Sequence, residues 1–357
     1  MVKACSDYWL SWTWFGNTGG LAVALRDLAV SVSEPLIGLT AGGGGHTGYA
    51  VAIAQRLAGR ARLFFFVSAG DKWSIGRVKG LGGFLEVPRL RSPDKPVPAI
   101  MTLHRLAAAY LRSLRGMPHG LSLLVSTGSN QAVAPSLAAK TLGKRLLNLE
   151  CSDRIATPTR TARLLYRFAD ETLLAWEEQL RFYPRGVVVG PVYEKAEHKP
   201  YKGGYVLFTM GTYGYKELFD QVVKLSLEKA VVQTGKIDPE PYRKARPGWV
   251  FFDFDPDIGK WIAGADVVVT HPGVTALSAA LAYGKPVVIV HNPRWALAGT
   301  REDARMLAEK LNGVFLEEMD PPSIMSAIRE AESRPPPRYP DGAENIAKLI
   351  LSYSQEH

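Results

Sequence analysis

Four consecutive glycines, Gly42 to Gly45, run directly into His46, Thr47 and Gly48. Ahead of them Leu36-Ile37-Gly38-Leu39-Thr40 is a short apolar run with the character of a buried strand. Behind them Val51, Ala54, Leu57 and Ala58 recur at helical spacing. Strand, glycine loop and helix is an arrangement in which a diphosphate approaches bare N–H groups at a helix N-terminus. A phosphate cradle does not need an imidazole. His46, at the carboxyl end of a first strand, adds a candidate proton acceptor at the edge where open α/β sheets place their chemistry. Two other readings compete. One is a dinucleotide-binding turn, with Asp71 after the strand Arg62 to Ser68 in the place of a ribose-binding acid. The other is a purely structural turn.

The same punctuation recurs. Leu121 to Val125 reads as a strand that ends in Ser126-Thr127-Gly128-Ser129-Asn130, and Arg145 to Leu149 as one that runs into Glu150-Cys151-Ser152-Asp153-Arg154. Later, Tyr205 to Thr209 leads to Gly211-Thr212-Tyr213-Gly214, Ala230 to Gln233 to Thr234-Gly235, and Asp266 to Thr270 to His271-Pro272-Gly273. Asp253-Phe254-Asp255 spells the Asp-x-Asp of many metal-dependent sugar transferases. It reads here as a loop without the context that the motif needs.

Alternating strands and helices predict a parallel, doubly wound sheet, and they do so twice, so the fold class is α/β with two Rossmann-like domains in tandem. Residues 36–192 form the first domain, 193–204 a linker, 205–335 the second domain, and 336–357 a terminal helix that crosses back to the first half. A helix follows Tyr213 as far as about Lys229. Residues 1–35 stand apart as an extension, with Trp9, Trp12, Trp14 and Phe15 clustered there. An interfacial anchor, a packed extension and a start assigned too far upstream are the three readings of that segment.

A chain of 357 residues exceeds what one core usually supports, and 46% hydrophobic with 22% charged residues is ordinary soluble composition. The net charge of +9 favours acidic partners such as anionic lipid or phosphorylated substrates. Nucleic acid ranks low, because no recognition motif accompanies the charge. Two cysteines, Cys5 and Cys151, exclude a disulfide framework and a zinc site and suit a reducing compartment. No apolar run is long enough to span a bilayer. Ile100 to Arg115 predicts an amphipathic helix with Leu103, Leu106, Tyr110, Leu111 and Leu114 on its apolar side and Arg105, Arg112 and Arg115 basic. Such a helix either packs on its own domain or lies on a membrane surface.

Taken in order, these motifs resemble the GT-B glycosyltransferases of the MurG type, family 28 in the second half. The likeness is closer still to the two-subunit eukaryotic enzyme that makes the chitobiosyl lipid, as though both subunits were fused. GGGGHTGYA looks like that family's acceptor-side loop, STGSN its second glycine loop, and NLECSDR its Glu-Ser-x-x-Arg segment. LFTMGTYGYKELFD, VVQTGK and ADVVVTHPGVTALSAALAYGKPVVIV resemble the nucleotide-sugar subunit. The resemblance covers about Leu36 to Leu316. It implies a GT-B fold with a central cleft and an inverting transfer that uses no cofactor or metal, only a UDP-sugar as substrate. His46 is the first candidate base, and Glu150 orients it or is the base itself. Gly43, Gly44, Gly45, Thr47, Gly48, Thr127, Gly128, Ser129, Asn130 and Arg154 would bind the acceptor diphosphate. Gly211, Thr212, Tyr213, Gln233, Gly235, His271, Gly273, Val274, Thr275, Glu302 and Asp303 would bind the donor. The implied partners are a UDP-sugar, a polyprenyl- or dolichyl-diphosphate-linked sugar and an anionic membrane at its cytoplasmic face. Self-association is left open. The family's ribose-gripping glutamate is here Ala279, and its N-H-Q lines up with Glu302-Asp303-Ala304. The rivals are a UDP-sugar 2-epimerase of the same fold and a non-catalytic module that recruits partners to a lipid diphosphate.

Overall fold

The computed structural model describes residues 34–90, 98–294 and 299–355. The tryptophan-rich extension lies outside the described residues, apart from its last two positions. In the first half the strands are β1 (Leu36–Ala41), β2 (Arg62–Ser68), β3 (Gly83–Val87), β4 (Leu121–Ser126), β5 (Arg145–Leu149), β6 (Glu171–Leu174) and β7 (Val187–Val188). The helices among them are α1 (Gly44–Leu57), α2 (Lys72–Val78), α3 (Ala99–Gly116), α4 (Val133–Thr141) and α5 (Arg160–Leu165). All seven strands are parallel, in the order β3-β2-β1-β4-β5-β6-β7.

The second half repeats the plan. Its strands are β8 (Tyr205–Thr209), β9 (Ala230–Gln233), β10 (Val250–Phe252), β11 (Ala265–Thr270), β12 (Val287–Ile289) and β13 (Val314–Phe315), parallel in the order β10-β9-β8-β11-β12-β13. The helices are α6 (Lys216–Val222), α7 (Glu240–Ala245), α8 (Ile258–Gly264), α9 (Val274–Leu277), α10 (Arg301–Lys310), α11 (Pro321–Glu332) and α12 (Gly342–Gln355). Central strands such as LIGLTA and ADVVVT are apolar almost throughout because helices cover both of their faces.

Strand order reverses direction between β1 and β4 in one sheet and between β8 and β11 in the other. At each reversal the neighbouring loops part, which opens a crevice at the carboxyl edge. α12 then packs on α1, where the buried Arg56 pairs with Asp341 at 2.8 Å and Asn345 donates to the carbonyl of Val189.

Three local expectations need correction. The helix after Tyr213 stops at Val222, because the Arg246 guanidinium takes the carbonyls of Val223 and Leu225 that further turns would use. β6 occupies Glu171–Leu174, a stretch for which the sequence suggested no strand. On α3, Leu106, Tyr110 and Leu114 pack inward, but Leu103 (66% exposed) and Leu111 (46%) do not.

Candidate functional site

The carboxyl edges of the two sheets carry the singled-out loops. α1 begins at Gly44, after Gly43 as its N-cap, with φ of +64° at Gly43 and +35° at Gly44. A side chain would be strained at both positions, and the space beside each is open. Gly43 N–H donates to Asp71 at 2.9 Å, and Asp71 also caps α2 through Ser74. Asp71 is therefore a brace for the loop. Among the described residues the N–H groups of Gly44 and Gly45 keep no protein partner, as expected of a helix's first turn.

His46 is half-buried in that turn, and its Nδ1 lies 2.7 Å from the carbonyl oxygen of Thr127. A carbonyl only accepts, so the proton resides on Nδ1 and Nε2 carries a free lone pair. Burial pushes the imidazole below its ordinary value of 6.5. The Thr127 hydrogen bond and the charge of Asp153 oppose that shift, and Arg154 adds to it. The contact ties α1 to the end of β4 across the first crevice. Gly128 lies beside the ring, and its φ of +90° and the Leu149 carbonyl, 3.1 Å from an added Cβ, suit glycine there.

Several residues expected to face ligand turn inward. Thr47 is fully buried, with its hydroxyl on Ser74 at 2.7 Å. The Thr127 side chain bonds to Thr40, so only its carbonyl serves the site. Gly48 is packed against Val274 and Glu194. Ser129 and Asn130 sit at the start of the next helical turn, Ser129 half-buried and Asn130 exposed.

Glu150 is neither base nor orienter in this geometry. Its carboxyl is completely buried and accepts from Cys151 N–H (2.8 Å), Thr159 N–H (2.9 Å) and the Tyr183 hydroxyl. Burial raises its pKa to about 7 against the pull of those donors. It shapes the loop 151–159, and the Thr127 carbonyl orients the imidazole instead. Arg154 is engaged by Thr157 and by Asp303, at 3.2 and 3.8 Å.

Across the cleft, His271 follows β11 and Gly273 is the N-cap of α9, which continues as a π-helical turn over Ser278–Ala282. The Val274 side chain touches Gly48, so the two rims meet there. Gly211 (φ +64°) brings its backbone against His271, and a Cβ would lie 2.8 Å from the ring. Burial lowers the His271 pKa, Asp153 counters this, and its buried Nδ1 has no partner among the described residues. Thr212 is exposed, Tyr213 and Thr275 are half-buried, and Lys236 lies 4.1 Å over the Tyr213 ring.

Four donor-side candidates are engaged within the protein. Gln233 is buried, its amide nitrogen donates to Thr209, and its Oε1 has no partner among the described residues. Gly235 supports the Gly211 turn from below. Glu302 is exposed and pairs with Arg305. Asp303 is fully buried, where it caps α10 through Thr300 and accepts from Ala156 N–H, Thr157 N–H and the Thr157 hydroxyl at 2.7, 3.0 and 2.6 Å. It joins the two halves. Ala279 is fully buried and presents no polar group. Of the Asp-x-Asp pair, Asp255 is held by Lys260 and Trp261. Among the described residues no group of three His, Cys, Asp or Glu is arranged to hold a metal ion.

The sequence reading missed Asp153 and Tyr49, although both lie inside quoted motifs. The Tyr49 hydroxyl donates to Asp153 at 3.1 Å and accepts from Ser152 N–H at 3.0 Å.

Comparison with known proteins bears on the fold. Residues 205–352 match the Glycosyltransferase family 28 C-terminal domain. The UDP-N-acetylglucosamine--N-acetylmuramyl-(pentapeptide) pyrophosphoryl-undecaprenol N-acetylglucosamine transferase of Nitratidesulfovibrio vulgaris is 27% identical over 311 residues, which cover 79% of this chain and 84% of that protein. Among solved structures, Acinetobacter baumannii MurG superposes with a TM-score of 0.62 at 15% identity, covering 91% of this chain and all of the other (100%). A putative UDP-N-acetylglucosamine 2-epimerase from Listeria monocytogenes gives 0.64 at 11% identity, covering 91% and 97%. The fold is GT-B.

Proposed function

We propose that this glycosyltransferase of MurG-like GT-B fold moves an N-acetylhexosamine, GlcNAc in the first instance, from a UDP-sugar to a sugar carried on a polyprenyl or dolichyl diphosphate. The transfer inverts the anomeric centre and uses no metal. The observation that carries the reading is the Nδ1–Thr127 bond, which leaves His46 Nε2 as a proton acceptor beside a helix N-terminus. The acceptor's diphosphate would sit on the Gly44 and Gly45 N–H groups and its hydroxyl would face Nε2. The departing nucleoside diphosphate would be met by the N–H groups that begin α9, with Gly211 and His271 alongside. Thr212, Tyr213 and Thr275 remain donor-side candidates, and Ser129 and Asn130 acceptor-side ones.

The second half matches a nucleotide-sugar transferase domain, and the 27% relative is named for GlcNAc transfer to a lipid diphosphate. Both support this substrate class. The outward apolar residues of α3 add a membrane surface as the place where the lipid is met.

The test is a transfer assay with a panel of UDP-sugars and a short-chain lipid-diphosphate-GlcNAc acceptor, run in EDTA. A disaccharide-lipid from one donor is expected, with His46→Ala lowering turnover by about 10²- to 10⁴-fold while donor binding persists. If UDP-GlcNAc is instead converted to its 2-epimer with no lipid product, the epimerase reading replaces this one.

A further inference from the structure

Asp153 stands on the loop after β5 and takes no part in the anion cradle. Its Oδ1 accepts from Tyr49, whose hydroxyl is itself anchored by Ser152 N–H, so the carboxylate is held in place by a buried phenol. Among the described residues it has no other hydrogen bond, and it is only half-buried. The Tyr49 ring lies edge-on to the His46 imidazole with centroids 6.5 Å apart, which places the carboxylate, the phenol and the imidazole in one cluster. In the other half, the buried Nδ1 of His271 is without a partner among the described residues.

We propose that Asp153 is a positioning residue of the transfer, stabilising the imidazolium that His46 becomes when it takes the acceptor's proton. This rests on the transferase reading. In the step, the acceptor O–H bond breaks and its proton passes to His46 Nε2. The oxygen bonds to the anomeric carbon, and the bond from that carbon to the diphosphate oxygen breaks, its electron pair leaving with the nucleoside diphosphate. A positive charge is thereby left on His46, where burial disfavours it, and Asp153, held through Tyr49 in the same cluster, is a carboxylate whose charge offsets that penalty. It acts on His271 in the same sense. The other groups around Asp153 are Tyr49 of α1 and Cys151 and Arg154 of its own loop, with the Arg77–Glu194 pair beyond Gly48. Arg154 opposes it at His46 but is itself held by Asp303.

The experiment is Asp153→Asn in the full chain, with the His46 titration followed by NMR of labelled histidine and its signal assigned through His46→Gln. The expected result is a fall of about one unit in the His46 midpoint. With it kcat drops at least about tenfold and the donor KM stays within about twofold. Asp153→Glu, which keeps the charge, should restore both. Should Asp153→Asn fail to fold, Tyr49→Phe keeps the carboxylate but frees it, and a smaller shift in the same direction is expected. An unmoved midpoint overturns the proposal, and so does a moved midpoint with unchanged kcat. The titration needs no substrate. Absence of transfer by the unsubstituted protein would therefore remove the transferase reading, while the midpoint still reports on the Asp153–His46 coupling.

Discussion

At the residue scale the proposed chemistry turns on which nitrogen of His46 bears the proton. The Thr127 carbonyl fixes it on Nδ1, and burial makes the cationic ring costly. A base must be neutral to act, so kcat/KM should fall as pH drops through the His46 pKa, with the midpoint of that acid limb below 6.5. The same shift has a stability sign. The unfolded chain takes a proton on this histidine near the ordinary value and the folded chain resists it, so this group's contribution is present above 6.5 and is lost as pH falls toward the folded value. A pH–rate profile with the substrate found by transfer assay checks the first point, and an acid limb above 6.5 would remove His46 as the base. His46 stood out in the sequence as a candidate because a phosphate cradle needs no imidazole, beside the plainer reading of a loop histidine bonded to backbone. Glu150 was legible only as a polar residue at a strand end. Its burial under Tyr183, and the half-buried position of Asp153 three residues later, depend on how the loop folds back, and spacing does not encode that.

At the scale of elements, α10 makes the contrast plain. Glu302 and Asp303 are adjacent acids at its first turn, and a sequence pattern treats them alike. One is exposed beside Arg305, whereas the other is buried and accepts from residues 156 and 157 of the opposite half. Asp303→Ala would leave three backbone N–H groups and two hydroxyls without their acceptor. It should destabilise the chain by about 2–4 kcal/mol, with Glu302→Ala within about 0.5 kcal/mol of the parent. Urea denaturation of the two variants decides it, and equal midpoints would mean that Asp303 does not couple the halves. Its carboxylate is held below the ordinary range, chiefly by its hydrogen bonds to Thr157 and Thr300 outweighing the cost of burial. The coupling is therefore present above 3.8 and lost as pH falls through the lower folded value. The strands of both sheets could be read from runs such as LFFFV and ADVVVT, because two-sided burial makes them continuously apolar. The short strands β6, one in from the first sheet's edge, and β13, at the edge of the second, could not, since so few residues give no period to detect.

At the scale of the whole molecule, the helix α3 relates the cleft to a surface. β3 and β4 are parallel members of one sheet, so the helix between them must run back against the strands. Its first turn therefore stands at the carboxyl edge, on the same side as the glycine loop. Ile100 (81% exposed), Leu103 (66%) and Leu111 (46%) form an outward stripe along it, with the exposed Arg112 and Arg115 beside its later turns. None of the described helices is long and apolar enough to cross a membrane, so contact through this stripe would be peripheral. Burying half to most of two leucine side chains is worth about 2 kcal/mol, and each 1.4 kcal/mol is about tenfold in binding. Leu103→Asp combined with Leu111→Asp should therefore weaken binding to anionic vesicles by at least about tenfold. Both positions face outward, so the melting temperature should hardly change. Raising the salt should weaken binding of the parent too, because a net charge of +9 supplies a screened attraction. Sedimentation with vesicles gives the answer. If the double variant binds as the parent does, the stripe is not the docking face. If salt alone releases the protein while the variant is silent, charge and not α3 brings the cleft to its lipid.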